Sequence, residues 1–343
     1  MSAAAAVRIK AEAYALGFDL VGIARLGPME TAPAFRAWLD RGYHGTMAWI
    51  ARGDGKRDDT RRVYDGAMSA IVVGMNYGGT QPAGPIARYA RGRDYHDVMV
   101  DRLNALLSQI RTIAPDVRGK PYVDTGPILE RDLARRAGLG WFGKNTNLIN
   151  PKLGSFFFIG SLFTDLDLPP DEPFATDHCG SCTRCLAACP TDAFERPGVL
   201  DATKCISFLT IELRDAIPVP LRSRMRGLVF GCDICQEVCP WNVKFARDVT
   251  DAELQPRPDL TTVDPAELLT LSDETFRAKF RHTPVTRAKR RGLARNAAVA
   301  LDQRADPAAA AALQQASSDP EPLVREHAQW VQGRMSAALP DRW

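Results

Sequence analysis

Over the first 170 residues the apolar positions switch between two periods. Residues 4–17 carry them at helical spacing and stop at Gly17, which predicts an amphipathic helix with a glycine at its end. Residues 18–24 read as a strand and 34–50 as a helix. A short apolar run, 70–74, predicts a buried strand, and 95–113 a long helix. Residues 120–124 read as a strand that Asp124 closes, 128–137 as a helix ended by Gly138, and 156–163 as another strand. Strands alternating with helices indicate an α/β or α+β domain over residues 1–170. Beyond residue 260 the strand signal is gone and Ala, Leu and Arg dominate. Leu293-x-Arg295-x-x-Ala298 recurs thirty residues later as Leu323-x-Arg325-x-x-Ala328. Paired helices at that period predict a HEAT-like solenoid, with a generic helical cap as the alternative.

Composition changes this picture in one place. The chain has 343 residues, is 45% hydrophobic and 25% charged, and carries a net charge of +3, ordinary values for a folded chain of about two or three domains. The charge excludes neither nucleic acid nor small acids as partners. Arg8, Lys10 and Glu12 interrupt the apolar start before a signal-peptide core could form, and no apolar run is long enough to span a membrane. A cytoplasmic protein without membrane attachment is the expectation, and nothing in the sequence demands more than a monomer. The eight cysteines, however, all fall between Cys179 and Cys239. Bridges of a disulfide-stapled secreted chain would be spread through the fold.

Within that window the spacing is informative. Cys179-x2-Cys182-x2-Cys185-x3-Cys189-Pro190 is the bacterial ferredoxin run for [4Fe–4S] clusters, in which the fourth cysteine points at a neighbouring cluster. Cys232-x2-Cys235-x3-Cys239-Pro240 repeats it without its first member, since position 229 is Val, and Cys205 is the one cysteine left to fill that place. The count closes with Cys179, Cys182, Cys185 and Cys239 on one cluster and Cys189, Cys205, Cys232 and Cys235 on the other. The alternative is two zinc sites, which also take four thiolates but rarely at this spacing.

Other motifs are weaker. Gly138-x-Gly140-x-x-Gly143 matches a dinucleotide fingerprint and nearly a P-loop, but follows a predicted helix instead of a strand. Asp94-x-His96-x-x-Met99 lacks the glycine of a corrinoid-ligating DxHxxG pattern, and a structural role for His96 competes with it. Asp124, at a predicted strand end before Thr125-Gly126-Pro127, is placed either to face a pocket or to cap the following helix. To donate a proton at pH 7 it would need its pKa raised from about 3.9. Basic residues concentrate between Arg281 and Arg295, with a second group at Arg222, Arg224 and Arg226. A solvated helix face and a phosphate-binding patch both fit.

Several longer stretches resemble one family, epoxyqueuosine reductase. They run from Arg88 to His96, from Val123 to Arg131, from Gly140 to Thr146, from Asn150 to Ser155, from Phe230 to Gln236 and from Cys239 to Asn242. The resemblance spans nearly the whole chain. It implies a cobalamin-binding catalytic α/β (α+β) domain over 1–170, a ferredoxin-like double [4Fe–4S] domain over 171–247 and a helical linker with HEAT-like repeats over 248–343. It implies reduction of epoxyqueuosine at the wobble position of tRNA, with electrons reaching cobalamin through both clusters from a donor such as a flavodoxin or ferredoxin system. Asp124 then matches the proton donor. Arg57, Tyr95, Asp124, Lys144, Asn145, Leu148 and Ile159 match the cobalamin pocket. Arg287, Lys289, Arg290, Arg291 and Arg295 become the expected tRNA contacts. One departure is Ser161, where the family pattern has an acidic residue.

Overall fold

The computed structural model describes residues 1–53, 55–79, 81–302, 304 and 306–338. The chain opens with α1 (Ala3–Ala15), β1 (Leu20–Arg25), α2 (Ala32–Asp40), α3 (Ala48–Ala51) and β2 (Ser69–Asn76). It continues through α4 (Tyr95–Arg111), β3 (Gly119–Tyr122), α5 (Glu130–Arg136), a small hairpin of β4 (Trp141–Phe142) and β5 (Leu148–Ile149), and β6 (Phe157–Thr164). Four strands form one sheet in the order β1-β2-β6-β3, antiparallel throughout, so this region is α+β. All eight residues of β2 are buried because both faces of the sheet are covered. On one face Ile71, Val73 and Met75 pack with α1 and with Val98, Met99 and Leu103 of α4. On the other, Ala70 and Val72 meet Leu133 and Ala134 of α5. The alternation of side chains along a strand dictates this split.

Two predicted elements differ. The helix expected over 34–50 ends at Asp40, and the chain turns through Gly42 and Gly45, at φ of 71° and 55°, before the single turn of α3. A left-handed backbone cannot continue a helix. The strand expected to end on Asp124 stops at Tyr122, and Asp124 itself takes φ 57°.

The cysteine region holds short elements: α6 (Arg184–Ala187), a hairpin of β7 (Phe194–Arg196) and β8 (Val199–Leu200), then α7 (Ile206–Ile211), α8 (Val219–Arg222), α9 (Ile234–Glu237) and α10 (Pro240–Phe245). The rest is helical: α11 (Pro258–Thr261), α12 (Pro265–Leu269), α13 (Asp273–Phe280), α14 (Lys289–Ala300), α15 (Pro307–Ala316) and α16 (Pro322–Ala338). Residues 303, 305 and 339–343, which fall in the expected repeat region, lie outside the described residues.

The cores cross the boundaries expected at 170 and 247. Val249 and Leu254 pack with α1 and α4, and the core of the helical tail takes in Ile86, Ala90, Ile211 and Phe230. The two arginines of the thirty-residue repeat each collect backbone carbonyls. Arg295 donates to Leu209, Leu213 and Asp215, and Arg325 to Asp319 and Pro320. Such positions recur because buried carbonyls need donors.

The glycine motif has a local explanation. Gly138 ends α5 at φ 79°, and a Cβ on Gly140 would sit 2.2 Å from the Ile149 carbonyl oxygen. The motif closes a helix and a hairpin and does not open a nucleotide loop. No helix among the described residues is long and apolar enough to cross a membrane.

Candidate active site

Each cysteine run leads into a short helix, which turns the thiols inward. A cavity of about 210 Å³ is lined by Cys179, Cys182, Cys185 and Cys239, with Lys144, His178 and Trp241 around it. Four thiols around one shared space suit a multi-atom cluster. Cys189, Cys205, Cys232 and Cys235 form the second neighbourhood. Burial, with the charges of Cys205 and Cys189 adding to it, pushes the Cys232 thiol up to about 12. Burial and then Cys232 and Cys205 push Cys235 up as well. Thiols such as Cys232 and Cys235, which burial keeps protonated, need a cationic centre to become ligands.

The loop between β4 and β5 is tied to both neighbourhoods. Lys144 Nζ donates to the carbonyls of Gly180 (2.5 Å) and Cys182 (3.0 Å), and Asn145 Nδ2 to that of Cys235 (3.3 Å). The Arg88-to-His96 segment braces the second. Buried Arg88 donates its backbone N–H to Asp233 at 2.8 Å and its guanidinium to Glu237 at 2.6 Å, while Arg91 is spent on the carbonyls of Ile86 and Pro82.

The second half of the site gathers at the end of β3. The register pairs Tyr122 with Ser161, so a strand two residues longer would set Asp124 opposite Ile159. Asp124 instead breaks the strand in the left-handed region, strain that concentrates at functional sites. The edge of β6 at Ile159 is left without a partner on that side. Ile159 is half-buried although it lies in the middle of an interior strand, and the hydroxyl of Ser161 on the same face is buried without a hydrogen bond.

The Asp124 side chain is 55% exposed at this opening. Its Oδ2 accepts from Tyr95 Oη at 3.0 Å and lies 3.4 Å from His96 Nε2. Asp94, which caps α4 through the His96 N–H, holds His96 Nδ1 at 2.7 Å. Tyr95 stacks on Phe158 at 4.1 Å. The Asp124 backbone N–H donates to Glu130 Oε1 at 2.7 Å, so Asp124 does not cap the next helix, which begins at Glu130.

These contacts set the charge of each group. Crowding around the turn would raise the Asp124 carboxyl, but the close His96 ring and the Tyr95 hydrogen bond, with the nearby charge of Arg287, hold it below the usual carboxylate range. Burial would lower His96, yet Asp124 and Asp94 raise it to about 9. Burial, and then Asp124, push Glu130 up to about 8. At pH 7 the pair is an ionised Asp124 and a charged His96, beside a neutral Glu130. Sequence reading gave no role to Glu130 and left that of His96 open. Each is visible only as a partner of Asp124.

The other expected contacts divide. Arg57 bonds the Arg52 carbonyl and lies beside the Asp124–Pro127 turn. Leu148 is buried in the core beneath the sheet. Arg287, Lys289 and Arg291 are exposed. Arg290 is not available: it forks onto Asp319, 2.9 Å from Nη1 to Oδ1, with both side chains nearly buried. Arg295 has no exposed surface and is committed to carbonyls, so neither is a phosphate contact. Arg222 of the second basic group is likewise buried against Glu326.

Comparison with known proteins agrees with this geometry. Residues 178–242 match the model of the 4Fe-4S double cluster binding domain, and 57–125 the model described as epoxyqueuosine reductase QueG, DUF1730. The epoxyqueuosine reductase of Leadbetterella byssophila is 46% identical over 84% of this chain and 96% of its own. That of Pseudomonas aeruginosa is 41% identical over 92% of this chain and 90% of its own. The crystal structure of an epoxyqueuosine reductase with a tRNA-Tyr epoxyqueuosine-modified stem loop superposes with a TM-score of 0.89 at 30% identity, covering 96% of this chain and 90% of that one. The Streptococcus thermophilus enzyme also gives 0.89, at 27% identity over 98% and 91%. Two cysteine neighbourhoods and a carboxylate turn, matched over nearly the full length by relatives of one activity, make this chain a member of the epoxyqueuosine reductase family.

Proposed function

We propose that this chain reduces epoxyqueuosine to queuosine at the wobble position of tRNA anticodons. The observation that carries the reading is Asp124, held on a strained turn between Tyr95 and His96 at an open strand edge, in a chain that also collects two groups of four thiols.

The overall change is loss of the epoxide oxygen as water, leaving an alkene, with two electrons and two protons consumed. Cys179, Cys182, Cys185 and Cys239 would hold one [4Fe–4S] cluster, and Cys189, Cys205, Cys232 and Cys235 the other. Cobalamin would rest on the open edge at Ile159, touched by Arg57, Tyr95, Asp124, Lys144 and Asn145, with Leu148 shaping the floor from beneath. The half-buried Ile159 and the unpartnered Ser161 hydroxyl support a large group there. When bound, the clusters supply electrons singly and cobalamin supplies them to the substrate as a pair.

The chain's own part is the proton. An oxygen leaving carbon as an alkoxide in a low-dielectric pocket is costly. Asp124 passes a proton from the charged His96 to that oxygen, and the second proton of the overall change comes from water, while Asp94 keeps His96 oriented through Nδ1. Glu130 fixes the turn through the Asp124 N–H. Arg287, Lys289 and Arg291 hold the RNA backbone, and the helical tail, read as HEAT-like, carries that face. A cytoplasmic monomer and a flavodoxin or ferredoxin system as electron donor complete the proposal.

The test is anaerobic reconstitution with iron, sulfide and cobalamin, then assay on tRNA containing epoxyqueuosine with dithionite and methyl viologen as the electron source. Formation of queuosine is expected. A protein that binds both cofactors and leaves the base unchanged overturns the reading.

A further inference from the structure

The geometry points to Trp49 as a stacking platform for an unpaired nucleobase beside the one taken into the Asp124 pocket, a binding site that rests on the RNA reading above. Trp49 stands in α3, the single turn that the glycines at 42 and 45 set apart from α2. It is 43% exposed, unusual for the side chain with most apolar area to hide. Its ring is not loose. The Arg287 guanidinium lies 5.7 Å from its centroid, and Arg287 is itself fixed by Glu212 at 2.6 Å, with its carbonyl held by Arg214.

The platform is next to the chemistry. The charge of Arg287 acts on Asp124 and on half-buried Tyr89. Just after α3, a Cβ on Gly53 would lie 3.7 Å from Pro127, three residues beyond Asp124. Further exposed cations lie close in sequence, Arg52 and Lys56 just after α3 and Lys289 and Arg291 just after Arg287. An exposed aromatic pinned by a guanidinium is the arrangement by which single-stranded bases are held, stacked on a ring while the backbone is held by charge. A base lifted from an anticodon loop leaves its neighbour unstacked, and Trp49 gives that neighbour a surface.

The test uses the reconstituted enzyme and an anticodon stem-loop carrying 2-aminopurine next to the wobble position. Wild type is expected to quench the 2-aminopurine on binding. Trp49→Leu should lose the quench and weaken binding about tenfold or more, with kcat at saturating RNA kept and KM raised. Trp49→Phe should restore most of both. A Trp49→Leu protein with wild-type melting temperature that still quenches, or binds within twofold of wild type, overturns the platform and leaves the RNA reading standing. A wild-type enzyme that does not bind the stem-loop overturns both.

Discussion

The thiol region and the carboxylate turn are built on opposite principles. The thiols come from a rare residue type at fixed local spacing, and the fold only has to bring Cys205 and Cys239 to places the spacing leaves open. The turn is assembled from common residues on three elements. Asp124 follows β3, His96 and Tyr95 begin α4, and Glu130 begins α5. Chemistry that needs a particular atom, sulfur, is written locally. Chemistry that needs a protonation state depends on neighbours from distant segments.

The largest effect expected from breaking this contrast lies on the thiol side. Cys235→Ala should remove one cluster, lowering iron from roughly eight to about four atoms per chain and abolishing turnover. Iron analysis after anaerobic reconstitution checks it. On the carboxylate side Asp124→Asn keeps shape but cannot pass a proton, and should cost about 10²–10⁴ in kcat with cofactor loading unchanged. If Asp124→Asn turns over at near wild-type rate, the proton role is lost.

Next in size is a pH effect. The His96 pKa is raised above its ordinary value, so the charged form is present below about 9 and fades as pH rises through it. Activity that draws its proton from His96 should fall along that limb, and His96→Gln should remove the limb while losing less activity than Asp124→Asn. The kcat/KM profile against pH separates the outcomes. The stability His96 gains from its two carboxylates follows the same sign, full below about 6.5 and lost as pH rises through about 9.

The smallest effects separate two kinds of arginine. Lys289→Glu with Arg291→Glu should weaken RNA binding and flatten its salt dependence by about one unit of slope per lost phosphate contact. Arg295→Met should leave RNA binding alone and lower the melting temperature, because each stranded carbonyl costs about 1–3 kcal/mol. Salt titrations and thermal melts give the two readouts.

Much of this was legible in the sequence, for identifiable reasons. Strong periodicity located α1, α4 and the central strands, and cysteine spacing located the thiol neighbourhoods. The basic stretch misled because charge along a sequence does not say which way a side chain faces. Arg295 belongs to the repeat and points at carbonyls, as Arg325 does. Asp124 was found at its turn, but its charge state was not legible, since its pKa answers to His96, twenty-eight residues upstream.

The cavity that closes with Cys239 has a consequence for biosynthesis. Three of its thiols emerge from the ribosome together, and the fourth follows some fifty residues later. The second neighbourhood begins at Cys189, inside the first run, and ends at Cys235. No nascent chain shorter than 235 residues can present a complete set of either kind, and the first set needs Cys239 as well. Both sets become available to an iron-donating system almost at once, after the sheet that braces them has left the ribosome.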